Sequence, residues 1–187
     1  MGRQAVEFIV CETPEQIREA QSLRYEVYCL EKAWVGTESC EDGLETDASD
    51  AFATHFLAYD DGTVVGTVRL LLGWRESLPG ARYLDLAGLG ITPEETVEVS
   101  RLATRRHGRS QDLRIFLGLT KLMWSWATDH SAKAWLAIAD VPLYHMLTRL
   151  GLPVLMEAEP VDYLGSRCVP IAFDMPGTGP VLNGARR

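Results

Sequence analysis

The most constraining feature of the sequence is an apolar run that contains two charged residues and leads into a basic loop. The stretch "TVEVSRLAT", residues 96–104, has the apolar content of a buried strand, although Glu98 and Arg101 lie within it. The next stretch, "RRHGRS", residues 105–110, holds three arginines and a glycine directly before an apolar segment with helical spacing. Because charged side chains are seldom buried without a partner or a function, this strand and loop predict the position of a site.

Turn and helix signals divide the rest of the chain into strands and helices. Thr13, Pro14 and Gln16 predict a capped helix start, and apolar residues at helical spacing, from Ile17 to Leu30, continue the helix through residues 15–34. Asp61-Gly62 between two apolar runs predicts a hairpin over residues 54–73. The other predicted elements are a first strand at 5–11, a helix at 111–132 capped by Ser110, a strand at 133–140, a helix at 142–151 and two strands within 152–174.

This order of elements predicts an α/β (α+β) fold. Strands in a meander followed by a strand–helix–strand crossover give a mixed central sheet flanked by helices. A chain of 187 residues is long enough for one domain with a substantial core and too short for two ordinary ones. We expect a single domain over residues 1–174 and a loose tail over residues 175–187, where "MPGTGPVLNGARR" has little apolar content.

Charge and cysteine usage argue against several classes of protein. The net charge of −8 speaks against nucleic-acid binding, and no apolar run approaches the roughly 18 residues of a membrane span. The four cysteines form no CxxC pair, so we expect no metal site and free thiols in a reducing cytoplasm. The charge is uneven, since no Lys or Arg occurs between Lys32 and Arg69, whereas five occur from Arg101 to Arg114. The first region should attract an amine and the second an anion.

Five short motifs occur along the chain in the order "RYEVYCLEKAW", "ETDASDAFATHF", "GTVRLL", "EVSRLA" and "VDYLGSRCVP". Together they resemble the GNAT acyltransferases, and among these the branch of acyl-homoserine-lactone synthases, long-chain N-acyl amino acid synthases and exosortase-associated acyltransferases. The resemblance implies a mostly antiparallel sheet that is splayed between its fourth and fifth strands. It also implies an N-acyltransferase that moves a fatty acyl group from the thioester of acyl carrier protein or coenzyme A to the amine of an amino acid or amino-acid-derived acceptor, with no tightly bound cofactor.

The resemblance assigns proton transfer to residues on three elements. Glu98, directly or through a water, would take a proton from the attacking amine, and Arg101 would tune the pKa of Glu98. The alternative is a structural Glu98–Arg101 ion pair, which would need a bulge because residues three apart in a strand point to opposite faces. His55 is either an aid to proton transfer or a hydrogen-bonded core residue, and Tyr144 would protonate the leaving thiolate.

The basic loop matches the GNAT pattern Arg/Gln-x-x-Gly-x-Gly/Ala, with Ser110 at the last small position. Free N–H groups at the helix N-terminus would bind the pantetheine phosphate of the donor, and Gly108 would allow close approach. The predicted donor-binding residues are Leu102, Thr104, Arg105, Arg106, Gly108, Arg109 and Ser110. The surplus of basic residues from Arg105 to Lys121 predicts a docking face for an acidic acyl carrier protein, the alternative being a solvated charge run.

The predicted acceptor-binding residues are Arg24, Tyr28, Trp34, Asp47, Asp50 and Arg69. In this interpretation Asp47 and Asp50 face the ammonium of the acceptor, and Trp34 can stack on a sulfonium group. The alternative is a structural salt-bridge network, and both can hold. The predicted acyl pocket comprises Leu119, Met123, Trp124, Met146 and Leu147, on two helices beside the splayed strands.

Two other functions stay open at this stage. An autoinducer synthase of quorum sensing would use S-adenosylmethionine as acceptor substrate, form an acyl-homoserine lactone and release methylthioadenosine. A non-catalytic sensor that binds acyl groups or coenzyme A would keep the basic loop and would have no need of Glu98.

Overall fold

The structure is a computed structural model that describes residues 5–106 and 108–184. The strands are β1 (Glu7–Val10), β2 (Thr54–Asp60), β3 (Thr63–Leu72), β4 (Thr96–Thr104), β5 (Ala134–Asp140), β6 (Val154–Glu157), β7 (Val161–Tyr163) and β8 (Ser166–Asp174). The α-helices are α1 (Pro14–Arg24), α2 (Arg109–Asp129), α3 (Val141–Arg149) and α4 (Met175–Leu182). A π-helical segment (Tyr25–Glu31) follows α1, and short 3₁₀ turns occur before β2 and between β3 and β4.

The chain divides into two compact units. The first unit comprises Met1–Arg69 and Arg101–Met123, and the second comprises Leu70–Ser100 and Trp124–Arg187. Strands in the first unit follow the order β1-β2-β3-β4, and strands in the second follow β3-β4-β5-β8-β6 with β7 paired to β8. β3 and β4 therefore contribute residues to both units.

The sheet is mixed and mostly antiparallel, as the sequence predicts. β1 pairs antiparallel with β2, and β8 pairs antiparallel with β5, β6 and β7. The exception is the parallel pair of β4 and β5, whose register joins Thr96 to Ala134 and Val99 to Ala137. Helices flank this open sheet, so the predicted fold class is confirmed.

The backbone of β4 is irregular at Arg101. The residue has a φ of 53°, in the left-handed region that non-glycine residues adopt at a cost of about 1–3 kcal/mol. The register of β4 with β5 ends two residues earlier, at Val99. The irregularity therefore lies at the residue whose charged side chain the sequence places inside a buried strand.

The first helix begins as predicted and ends differently. Thr13 and Gln16 form a reciprocal capping box, and Pro14 occupies the first helical position. The predicted single helix gives way to the π-helical segment after Arg24. A π-turn holds more residues than an α-turn, so the apolar stripe is displaced: Val27 is buried, whereas Leu30 is 61% exposed. The predicted stripe is therefore correct as far as Val27 and wrong at Leu30.

The C-terminal part corrects two predictions. Residues 152–174 form three strands, β6, β7 and β8, where the sequence predicts two. The predicted loose tail is α4 over Met175–Leu182, capped by Asp174, whose side chain accepts from the N–H of Gly177. The helix is ordered by partners far away in the sequence, since the indole N–H of Trp135 donates to Thr178. Residues 185–187 lie outside the described residues, and a single domain over residues 1–174 stays a prediction.

Candidate active site

Six charged side chains meet in the first unit, and we call them the arginine–carboxylate cluster. Its members are Arg24, Glu45, Asp47, Asp50, Arg69 and Arg101. They come from the end of α1, from β3 and β4, and from the stretch before β2 that is rich in carboxylates. We call this stretch, residues 37–53, the acidic segment. Five of the side chains are at most 9% exposed, whereas the Asp47 side chain is 32% exposed. The cluster is therefore a buried charged network with one member at its solvent edge.

Arg24 joins the acidic segment to α1. Its Nε lies 2.6 Å from Oε2 of Glu45, and its two Nη atoms each lie 2.9 Å from an oxygen of Asp50. Burial opposes the charged form of Arg24, but the hydrogen bond to Asp50 and the charge of Glu45 outweigh it and raise the pKa of the guanidinium. Arg24 is thus a permanent cation with a bidentate carboxylate partner.

Arg69 and Arg101 complete the cluster from the sheet. Arg69 contacts both oxygens of Asp47, at 2.6 and 3.0 Å, and Oδ1 of Asp50 at 2.6 Å. Nε of Arg101 lies 3.0 Å from Oε1 of Glu45, and its Nη2 lies 2.8 Å from Oδ2 of Asp47. Burial alone would raise the pKa values of Asp47 and Asp50, but the neighbouring arginines hold both below their usual range. Both aspartates are therefore ionised at neutral pH.

Glu45 is the member of the cluster that sequence reasoning missed. It is buried, bridges Arg24 and Arg101 through its carboxylate, and accepts a further hydrogen bond from Arg24 on its backbone oxygen at 2.5 Å. The acidic character of the segment was visible in the sequence. No spacing rule distinguishes Glu45 from the exposed Glu38 and Glu41 of the same segment, so only the fold identifies it.

Four of the predicted acceptor residues, Arg24, Asp47, Asp50 and Arg69, form the salt-bridge network that is their structural alternative. Asp47 already accepts four hydrogen bonds, from Arg69 twice, from Arg101 and from the backbone N–H of Ser49. These contacts match the four acceptor positions of a carboxylate. An acceptor ammonium would therefore have to share or displace one of them. Acceptor binding by Arg24, Asp47, Asp50 and Arg69 stays a prediction.

Tyr28 and Trp34, the other two predicted acceptor residues, pack beside the end of β4. Tyr28 is buried, and its hydroxyl donates to the backbone oxygen of Leu102 at 2.8 Å. Burial raises the pKa of Tyr28, so the hydroxyl stays protonated. Trp34 is partly buried, with its ring 5.5 Å from that of Tyr28 and Nζ of Lys32 5.4 Å from its centroid. One face of the Trp34 ring thus already attracts a cation.

His55 lies on β2 next to the cluster. Its Nε2 is 3.4 Å from the backbone oxygen of Asp50, and its Nδ1 has no hydrogen-bond partner among the described residues. Burial lowers the pKa of His55 more than the charge of Asp50 raises it. The side chain is therefore a buried neutral imidazole at physiological pH, as the core interpretation of His55 requires, and its part in catalysis stays untested.

This neutral histidine predicts a pH-dependent loss of stability. When the folded pKa lies below the unfolded one, the unfolded state binds the proton first, so the free energy of unfolding falls as pH drops through about 6.5. We expect His55→Gln to remove that part of the slope between about pH 7.5 and about pH 5, measured by urea unfolding at each pH. The exposed His145→Gln is the matched control and should keep the slope of the parent protein. Equal slopes for His55→Gln and the parent would contradict this prediction.

Glu98 lies on the part of β4 that belongs to the second unit. Its side chain is buried, and its Oε2 accepts a hydrogen bond from the backbone N–H of Gly80 at 2.7 Å. A side chain at position 80 would place its Cβ 3.1 Å from the same oxygen. The glycine at this position therefore gives the Glu98 carboxylate room to approach the backbone N–H closely.

Two arginines of the basic loop are already paired with carboxylates, which the sequence does not indicate. Arg105 and Arg106 form ion pairs with Glu26 and Glu31 of the π-helical segment, at 2.7 and 2.8 Å. Gly108 has a φ of 102°, and its carbonyl accepts from two N–H groups of the first turn of α2. The loop therefore presents less unpaired positive charge than its three arginines would imply.

The end of the loop differs from the prediction at Ser110. α2 starts at Arg109, so Ser110 lies inside the first turn and is not the cap that the sequence predicts. His107 and the side chain of Arg109 lie outside the described part of the chain. Donor binding by Leu102, Thr104, Arg105, Arg106, Gly108, Arg109 and Ser110 stays a prediction.

Tyr144 and the predicted acyl pocket occupy packed or partnered positions. The Tyr144 hydroxyl donates to Glu157 at 2.9 Å, and this bond raises the pKa of Tyr144. Leu119, Met123 and Leu147 are buried, while Trp124 and Met146 are partly exposed. A cavity of about 650 Å³ in the second unit is lined by residues 73–96 and includes none of these five. The acyl pocket stays a prediction.

The described residues contain neither a grouped set of metal ligands nor a helix that could cross a membrane. No three or more His, Cys, Asp or Glu side chains in this part of the chain are grouped so that they could hold a metal ion. Among the same residues no helix has the length and apolar character that a membrane crossing requires.

Comparison with known proteins gives a family match over the part of the chain that holds the arginine–carboxylate cluster. The family described as "Acetyltransferase (GNAT) domain" matches residues 23–118, which is more than half of the chain. This range contains every member of the arginine–carboxylate cluster, together with Glu98 and the basic loop. No curated protein matches the chain.

Several solved structures share the fold over nearly the whole chain. The acyl-homoserine-lactone synthase LasI has a TM-score of 0.74 and 22% identity, with 98% of this chain and 96% of LasI covered. The coenzyme-A-dependent acyl-homoserine-lactone synthase BjaI, with S-adenosylmethionine and isopentyl-CoA, has a TM-score of 0.71 and 22% identity over 91% and 82%. FeeM, an N-acyl amino acid synthase from uncultured soil microbes, has a TM-score of 0.68 and 14% identity over 92% and 91%. At these identities the likeness supports the fold alone.

Proposed function

The chain belongs to the GNAT acetyltransferase domain family and is an acyltransferase, and on this premise we propose that it transfers a fatty acyl group from a thioester to the amine of an amino acid or an amino-acid-derived acceptor. The observation that carries the proposal is the family match over residues 23–118, because that range holds the arginine–carboxylate cluster, Glu98 and the basic loop. The four free thiols of the chain support a reducing compartment such as the cytoplasm.

The charges of the cluster support an acceptor that carries both an ammonium and a carboxylate. Three arginines and three carboxylates balance each other, so the cluster has no net charge to attract a simple ion. A zwitterionic acceptor can exchange partners with it at the exposed edge, where its ammonium replaces an arginine contact of Asp47 and its carboxylate takes the released guanidinium. An acceptor amine without a carboxylate would offer no partner for that guanidinium.

The proposed reaction forms an amide and breaks a thioester. The bound ammonium first releases one proton to solvent and becomes an amine. The amine nitrogen then attacks the thioester carbonyl carbon, the C–S bond breaks, and the nitrogen loses its second proton. We assign that second proton to Glu98, whose carboxylate is held in place by the N–H of Gly80 and which later releases the proton to solvent. Tyr144, kept protonated by its hydrogen bond to Glu157, would give a proton to the thiolate and regain one from solvent. Holding both substrates in a reactive orientation accounts for a large part of the rate enhancement. No covalent enzyme intermediate is therefore required.

The donor is the thioester of an acyl carrier protein or of coenzyme A. The N-terminus of the 21-residue helix α2, preceded by Gly108 in a left-handed conformation, supports phosphate binding by backbone N–H groups. BjaI, one of the structures with the same fold, is coenzyme-A-dependent.

A product analysis tests the proposal. The purified protein is incubated with acyl-CoA or acyl carrier protein thioesters and either a mixture of amino acids or S-adenosylmethionine, and the products are weighed by mass spectrometry. We expect an N-acyl amino acid and no methylthioadenosine. If no donor and acceptor pair gives a product while acyl-CoA still binds, the chain is a sensor and the proposal is wrong.

A second candidate, an acyl-homoserine-lactone synthase of quorum sensing, is favoured by one observation. The face of Trp34 lies next to the ammonium of Lys32, so it can attract the sulfonium of S-adenosylmethionine in the same way. LasI and BjaI, two synthases of this class, share the fold. In the product analysis this candidate requires an acyl-homoserine lactone together with methylthioadenosine.

Charge reversal on α2 distinguishes the two donors. Arg114 and Lys121 are exposed on this helix, whereas Arg105 and Arg106 are already paired. If an acidic acyl carrier protein docks here, the double variant Arg114→Glu with Lys121→Glu should raise the KM for the acyl carrier protein thioester about tenfold, and by a larger factor at low salt. The KM for acyl-CoA should stay unchanged.

The control for this charge reversal is Arg149→Glu, which reverses an exposed charge on α3 and should change neither KM. Equal KM values for the acyl carrier protein before and after the double substitution would show that α2 is not the docking face.

A further inference from the structure

Two cysteine sulfurs in the first unit lie in direct contact. Sγ of Cys29 is 3.2 Å from Sγ of Cys40. Cys29 belongs to the π-helical segment, and Cys40 lies in the acidic segment, between the 3₁₀ turns Thr37–Ser39 and Glu41–Gly43. We call these two residues the cysteine pair.

The two sulfurs of the pair differ in access. The Cys29 residue is 5% exposed, whereas Cys40 is only partly buried. Sγ of Cys40 has one further weak contact, 3.8 Å from the backbone oxygen of Gly36. A reagent from solution therefore reaches Cys40 first.

We infer that the cysteine pair is a modification site, a dithiol that closes to an intramolecular disulfide by exchange with a low-molecular-weight disulfide such as oxidised glutathione. The thiolate of Cys40 attacks one sulfur of the glutathione disulfide, which forms a mixed disulfide and releases one glutathione thiolate. Cys29 then loses its proton to solvent and attacks Sγ of Cys40, which releases the second glutathione. Two protein thiols are oxidised and one glutathione disulfide is reduced to two thiols.

The pKa of Cys29 opposes the second step, and the position of Cys29 favours it. Burial, reinforced by Cys40, raises the pKa of Cys29 to about 12, so little of its thiolate is present at neutral pH. The contact distance compensates, because the attacking sulfur is already beside its target. The mixed disulfide at Cys40 is thus a short-lived species in the parent protein and should accumulate when Cys29 is removed.

Formation of the disulfide needs little movement. It affects the arginine–carboxylate cluster only through the stretch of chain between Cys40 and Glu45. The sulfurs must approach by about 1 Å to reach the length of a disulfide bond. The chain then runs from Cys40 to Glu45, whose N–H donates to the backbone oxygen of Gln21 and whose carboxylate holds Arg24 and Arg101. The oxidised form therefore ties the acidic segment to the π-helical segment that directly follows Arg24, and its Tm should rise.

Peptide mapping by mass spectrometry tests the site. The full chain is incubated in a series of reduced and oxidised glutathione mixtures, quenched with acid, alkylated and digested. We expect one cross-linked peptide that joins Cys29 to Cys40, a loss of two hydrogen atoms in the intact mass, and a Tm that rises with the oxidised fraction. The double variant Cys11→Ser with Cys168→Ser keeps the pair and should behave like the parent protein.

Single substitutions separate a dithiol from two independent thiols. Cys29→Ser should hold glutathione stably at Cys40, and Cys40→Ser should leave the buried Cys29 unmodified. Two results would overturn the inference: glutathione on Cys40 of the parent protein that never converts to the cross-link, or a cross-link through Cys11 or Cys168. Neither readout involves acyl transfer, so the outcome is independent of the proposed function.

Discussion

Replacing Glu98 by glutamine is expected to lower the turnover number of acyl transfer by about 10²–10⁴-fold, the usual contribution of a general base. Glutamine keeps the shape of the side chain and an oxygen that can accept from the N–H of Gly80. Its amide cannot take a proton from the acceptor amine. The loss should therefore appear in kcat, with the KM of the thioester and the melting temperature close to those of the parent protein.

Glu94→Gln is the matched control for this experiment. Glu94 is an exposed carboxylate four residues before Glu98, and its loss should leave kcat unchanged. Steady-state kinetics against both substrates, across a range of pH, supply the measurement. Unchanged turnover in Glu98→Gln would remove Glu98 from the mechanism and favour a purely structural carboxylate.

Arg24→Met is expected to lower the free energy of unfolding by about 3–5 kcal/mol, because it removes one of the two cations that pair with each of two buried carboxylates. Arg24 is fully buried, and it is the shared partner of Glu45 and Asp50. Methionine fills much of the volume, so the loss reports on charge and hydrogen bonds more than on packing. Urea unfolding measures it directly.

Two further substitutions frame this result. Arg24→Lys keeps the charge but loses the planar set of contacts to two carboxylates, so its stability should fall between those of the parent and Arg24→Met. Arg106→Met breaks the exposed ion pair with Glu31 and should cost less than about 1 kcal/mol. A loss in Arg24→Met as small as that of Arg106→Met would mean that the cluster does not support the fold.

Local features of this protein can be predicted from the sequence because the residues that form them are neighbours in the chain. The capping box of Thr13 and Gln16 and the hairpin turn at Asp61-Gly62 depend on residues within a few positions of each other. The order of most elements and the mixed sheet follow from such signals together with apolar periodicity. The contribution of Arg101 on β4 could be predicted for a related reason, because a charge in an apolar run must find a partner.

The identity of those partners was decided by the tertiary structure. Arg101 pairs with Glu45, which lies 56 positions earlier in the chain. The acidic segment contains several other carboxylates that could pair with an arginine equally well. The same is true of Arg105, which pairs with Glu26 across 79 positions and so lies outside the free basic face that the sequence suggests. Sequence spacing carries no information over such separations in a single chain, since many folds can bring either set together.

The sequence by itself determined where this protein begins its first helix, turns its hairpin and buries its charge, because those choices are governed by propensities and by hydrogen bonds between near neighbours. The tertiary structure decided the π-helical segment, the helix α4 in place of a loose tail, the role of Glu45 and the contact of Cys29 with Cys40. Each of these depends on the packing of distant segments, which lowers the free energy only once the whole unit has formed.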